Sequence, residues 1–165
     1  MINSRRLNNG VRIITERIEH VRSCCIGIWL KTGSRHEEAR DSGVNHFIEH
    51  MLFKGTQRLN AQQISDRLHS LGGNFNAYTT QEYICLHAKV IDKKVFQAIA
   101  ILAELVQESI FPEPEIRLEK SVVLEECRMC DDNPDDLCID LCIRNLWPNH
   151  PLGRPIIGCR RSIRS

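Results

Sequence analysis

The sequence predicts an α+β fold, an antiparallel sheet with helices packed on one face. Apolar residues alternate with period two near the N-terminus and again over 74–90, the mark of strands. Apolar stripes with helical spacing run through 44–71 and 93–147, and polar or glycine-rich turns separate the segments. At 165 residues the chain is long enough for one domain with a real core, so a single domain over 1–165 is expected.

The elements follow in order. Asn8-Asn9-Gly10 is a turn signal between short alternating runs, so SRRLNNGVRIITERI reads as a hairpin that opens a strand meander. Over 23–32, Cys24, Ile26, Ile28 and Leu30 share one face while Trp29 and Lys31 lie on the other, which predicts a second strand segment. Val44, Phe47, Ile48, Met51 and Leu52 then make one helical stripe, with Asp41 or Ser42 as the expected cap and Gly55 as the stop. A helix over 61–71 begins at the Asn60/Gln63 capping box and ends at Gly72-Gly73. Strands are expected over 74–79 and 82–90, paired as a hairpin. Asp92 is the expected cap of a helix over 93–107, another helix runs over 115–129, and Asn133-Pro134-Asp135-Asp136 opens a last one ending near Trp147-Pro148. The tail from Pro151 offers no recognisable closing element, so the domain is expected to be incomplete.

Charge and hydropathy exclude several function classes. The 22 basic and 21 acidic residues leave a net +1, so no global field favours nucleic acid or an anionic membrane surface. No stretch approaches the roughly 18 apolar residues that span a bilayer, and MINSRRLNNG has no apolar core of the signal-peptide kind. A cytoplasmic protein with eight reduced cysteines is the simplest expectation.

The chemistry concentrates on the first helix, in HFIEH. With Val44 at zero and 100° per residue, His46, Glu49 and His50 fall at roughly 200°, 140° and 240°, opposite the apolar stripe. Two histidines four apart can bind one zinc ion, and a glutamate between them can reach the activated water; the same five residues also suit a plain solvated face. A catalytic zinc takes three protein ligands. Glu119 and Glu126 are candidates for the third, about 20° apart round one helix, while Glu125 points about 100° from Glu126. Spacing leaves that choice open, and an ordinary acidic helix edge fits the same residues.

Four blocks narrow it. VNHFIEHMLFKGT, LGGNFNAYTTQE, VVLEECRMCDDNPDD and LWPNHPLGRPIIG, in this order and spacing, resemble the insulinase/pitrilysin zinc peptidases, and are similar to bacterial relatives of the mitochondrial processing peptidase β subunit. The resemblance implies a two-layer sandwich of the processing-peptidase-like metallohydrolase type. It implies zinc bound by His46, His50 and Glu126, with Glu49 as general base and Glu119 as a second acidic residue that orients a ligand or the proton network. It implies that Asn76 and Ala77 lie on an edge strand where a peptide or unfolded-protein substrate adds as a further strand. Members of the family are typically more than twice as long, so this chain is expected to be an N-terminal domain that ends early and lacks a second homologous half or partner subunit. A noncatalytic peptide-binding or partner subunit, or a truncated remnant, is the alternative function.

The late cysteines depart from the pattern. Cys127-x-x-Cys130 with Cys138 and Cys142 permits a second zinc cluster or a redox pair, and Cys130 lies one turn beyond Glu126, within reach of the metal. Both pairs fall on expected helices instead of the tight turns of zinc knuckles, which favours small buried hydrophobes.

Overall fold

The computed structural model describes residues 1–164, and the fold is α+β with antiparallel sheets. Strands β1 (Ile2–Arg6) and β2 (Arg12–Glu16) form a hairpin; β3 (Ser23–Leu30) follows, then helices α1 (Val44–Met51) and α2 (Ala61–Leu71). Strands β4 (Gly73–Thr79) and β5 (Ile84–Ile91) come next, and helices α3 (Val95–Gln107), α4 (Glu113–Asp132), α5 (Pro134–Leu146) and α6 (Arg160–Arg164) complete the order.

The main sheet has the order β3-β5-β4, with β5 in the centre. Its register places Ile26 opposite Ala88, Ile28 opposite Leu86, Phe75 opposite Ala88 and Ala77 opposite Leu86, so the apolar halves of all three alternations meet on one face. Ile64 and Leu71 of α2, and Ala98, Ile101, Leu102 and Leu105 of α3, close over that face as the principal core. A smaller cluster of Val123, Cys127 and Ile163, with Phe47, Leu124 and Ile157 against it, joins α4 to α1 and the tail.

Several expectations are met at the residue level. Asn60 accepts the Gln63 N–H at 2.9 Å while the Gln63 side chain accepts the Asn60 N–H, and Gly72 ends α2 in the left-handed region. Asn133 accepts the Asp135 N–H to cap α5. Others need correction. The hairpin does not continue into a meander: among the described residues β1 and β2 pair only with each other, and all ten of their residues are exposed. Neither Asp41 nor Ser42 caps α1; Gly43 takes the N-cap at φ +95°, and the buried Glu37 carboxylate accepts the N–H groups of Gly43 and Asn45 at 2.7 and 2.9 Å. Asp92 opens a short 3-10 turn before α3 and pairs with Arg22 at 2.8 Å, so it is not a helix cap. Strand β5 begins at Ile84, since the Thr80 hydroxyl accepts the N–H groups of Glu82 and Tyr83 and holds them in the turn. The tail packs back on the domain: α6 buries Ile163 against α4, and the Gly158 backbone lies so near Ser42 and Gly43 that a Cβ there would stand 2.3 Å from the Ser42 carbonyl oxygen. Ser165 lies outside the described residues. Among the described residues no helix is long and apolar enough to cross a membrane.

Candidate metal centre

Two helices build the site. The core holds Ile48 and Leu52 of α1 and its C-cap turn, which leaves His46 and His50 facing α4 and Glu49 facing the end of β4. Helix α4 runs 20 residues without a break, so Glu119 and Glu126 sit two turns apart on the side that faces α1.

Three of the residues singled out from the sequence converge. His46, His50 and Glu126 each offer a ligand atom within 4.8 Å of the others. The Glu126 Oε2 atom lies 3.9 Å from His46 Nε2 and 3.6 Å from His50 Nε2. Both separations exceed a hydrogen bond, and they approach the roughly 3.3–3.5 Å expected between two ligands of one tetrahedral ion with about 2.0–2.2 Å bonds. Glu126 Oε2 and His46 Nδ1 are buried without a hydrogen-bond partner among the described residues. A carboxylate oxygen in that state is costly unless a cation completes it, so the donor set fits a divalent ion that accepts nitrogen and oxygen together.

The protonation states suit the same use. Burial, reinforced by the nearby His50, lowers the His46 pKa to about 4, which keeps its ring neutral and able to donate a lone pair at neutral pH. Burial pushes the Glu119 carboxyl upward, but the Lys54 ammonium and the contact with His50 outweigh it and hold the group below the usual carboxylate range.

The remaining candidates surround this triangle. Glu119, only 3% exposed, meets His50 Nδ1 at 2.8 Å and is a neighbour of the cluster of ligand atoms, not a member of it. Glu49 Oε2 accepts the Thr79 hydroxyl at 2.6 Å, which ties α1 to β4. A cavity of about 670 Å³ opens there, lined by His46, Glu49, Tyr78, Thr79 and Glu126 among others. Asn76 and Ala77 lie on β4, an edge strand among the described residues; Asn76 is exposed, Ala77 is buried, and the Asn76 side chain accepts the Ala77 N–H at 2.9 Å.

Glu125 points away and pairs with Arg128. Cys130 lines the cavity, yet no cysteine joins a cluster of three potential ligands among the described residues, and all eight are free thiols. Cys127 is a buried member of the smaller apolar cluster, as a small hydrophobe would be, whereas Cys138 and Cys142 are exposed on α5.

Sequence reading missed Glu37, Lys54 and Thr79. Thr79 had a signal, since it follows Ala77 by two on a strand and so shares its face. Glu37 and Lys54 lie in turns flanking α1, where no periodicity reports direction.

The chain is 44% identical over its full 165 residues to the zinc protease YmxG of Bacillus subtilis, covering 40% of that protein, and 39% identical to a zinc protease of Rickettsia felis, again covering 40%. It thus spans about two fifths of the length of the curated relatives it matches. Among solved structures, a protease from Helicobacter pylori superposes with a TM-score of 0.94 at 26% identity, over 100% of this chain and 40% of that one. The first half of the periplasmic protease PqqL of Escherichia coli shares the fold at a TM-score of 0.87, with 99% of this chain matched to 37% of that one. Residues 12–160 match the family described as Insulinase (Peptidase family M16), and with the relatives' identity spread over the whole chain this shows that it belongs to the insulinase family of peptidases.

Proposed function

We propose that this chain is the metal-binding part of a zinc-dependent metalloendopeptidase, with His46, His50 and Glu126 as the zinc ligands and Glu49 as the general base. The observation that carries the reading is the convergence of three ligand atoms within 4.8 Å beside an open cavity, with the Glu126 oxygen buried and without a hydrogen bond among the described residues. The choice of zinc is supported by the names of the relatives, which are zinc proteases, and by the two-nitrogen, one-oxygen donor set.

Zinc held there supplies Lewis-acid polarisation of a carbonyl and brings the pKa of a water to about 7. The chain's own residues do the rest. Glu49 receives the water's proton; the Thr79 hydroxyl holds its Oε2, fixing the carboxylate beside the cavity and leaving Oε1 as the base. The same carboxyl then returns the proton to the leaving amine. Glu119 fixes the His50 ring through Nδ1 and so leaves Nε2 free for the ligand role. An extended peptide adds along the free edge of β4, where displacement of the Asn76 amide uncovers the Ala77 N–H.

A second homologous half, or a partner subunit carrying one, completes the substrate chamber; the chain's coverage of only 40% of its relatives supports this. In the full-length protein Glu49→Gln is expected to keep zinc near one per site while peptide cleavage falls by about 10²–10⁴-fold. Cleavage at the wild-type rate by that variant would remove Glu49 from the mechanism. Tight peptide binding without turnover at full zinc occupancy would instead support the noncatalytic subunit.

A further inference from the structure

We infer that Lys54 is a positioning residue for the metal site, holding Glu119 so that Glu119 can hold His50. This rests on the reading of His50 as a zinc ligand. Lys54 lies just past α1, in a turn that the chain fastens to the entry of α4: the Gly55 carbonyl accepts the Ile110 N–H at 3.2 Å, and Thr56 bridges to Ser109. A Cβ on Gly55 would come within 3.1 Å of Pro112, so the two segments are in direct contact. The joint sets the ammonium over the first turns of α4, and Lys54 Nζ stands 2.6 Å from Glu119 Oε2.

The Glu119 side chain is 4% exposed, so water does not solvate its charge. Its two oxygens have separate partners, His50 Nδ1 on Oε1 at 2.8 Å and Lys54 Nζ on Oε2 at 2.6 Å. Removing the ammonium leaves a buried carboxylate with one charge-assisted contact and nothing to hold Oε2 in place, so the group turns. The acceptor that keeps the His50 proton on Nδ1 is then weakened. The Nε2 lone pair that faces Glu126 loses its fixed direction, and Lys54 acts on it through Glu119. Arginine retains the charge and the donors, so it restores what an apolar side chain of similar length cannot.

The test measures zinc affinity of the chain by chelator competition for wild type, Lys54→Met and Lys54→Arg. Imidazole nitrogen NMR of the metal-free chain reports in parallel where His50 carries its proton. Lys54→Met is expected to bind zinc about 10–100-fold more weakly and to lose the single Nδ1–H form of His50, with Lys54→Arg recovering most of both. In a Glu119→Gln background, where no charge needs the ammonium, Lys54→Met should add no more than about twofold; this pair decides the matter even where the single variant folds poorly. Wild-type zinc affinity and an unchanged His50 signal in Lys54→Met would overturn the inference alone. So would an undiminished loss in the Glu119→Gln background. A wild-type chain that binds no zinc through His50 and Glu126 would remove the metal-site reading, while the NMR comparison would still decide whether Lys54 orients the ring.

Discussion

The two helices that make the candidate metal centre stand on unequal foundations. Helix α1 rests on the sheet-and-α3 core, where Leu86, Ile101, Leu102 and Leu105 are fully buried, whereas α4 is fastened by the small cluster around Val123, Cys127 and Ile163. The histidines therefore come from the stiff side of the site and the glutamates from the soft side. Polar contacts across the gap, Glu119 to His50 and to Lys54, compensate for the thin apolar contact and make the site itself part of what joins α4 to the domain. Metal affinity should thus be more sensitive to the α4 flank than global stability is.

That contrast can be broken by mutation. Leu102→Ala, at the centre of the large core, is expected to cost about 2–5 kcal/mol and to lower the urea midpoint of the whole chain together with zinc binding. Acid should act next. In the metal-free chain the folded state keeps His46 neutral down to about pH 4, while the unfolded state protonates it near 6.5. Stability is then intact above the unfolded value and falls with pH through that window, by an amount on the order of 3 kcal/mol, because the unfolded chain binds the extra proton. His46→Gln should flatten this part of the pH–stability curve, and an equally steep curve would refute the assignment. The smallest effect is expected at Val123→Ala, about 1–2 kcal/mol, but it should loosen α4 selectively. Amide exchange should quicken in α4 and α6 while β5 and α3 keep their protection, and zinc affinity should fall.

Residues whose directions follow from periodicity were legible in the sequence. The alternations of β3, β4 and β5 and the stripes of α1, α2 and α3 determined both the fold class and the side on which His46, Glu49 and His50 project. Spacing on α4 reduced the third ligand to Glu119 or Glu126, but the choice depends on how α4 is offset along α1, a tertiary quantity no local pattern encodes. The structure separates them by distance: Glu126 Oε2 faces both Nε2 atoms, and Glu119 meets Nδ1. The N-terminus of α1 was misread because its cap is remote, a carboxylate at Glu37 instead of an adjacent Asp41 or Ser42. The packing of the tail is illegible for a similar reason. It depends on the close approach of Gly158 to Ser42 and Gly43, backbone against backbone, with only Ile163 as a buried apolar anchor in α6.

The most direct test of the central claim is zinc content after exhaustive dialysis for the 165-residue chain, His50→Ala and Glu126→Gln. Near one zinc per chain in wild type, lost or sharply weakened in both variants, is the predicted result. Zinc retained at full stoichiometry in both variants, or absent from a folded wild-type chain, would contradict it.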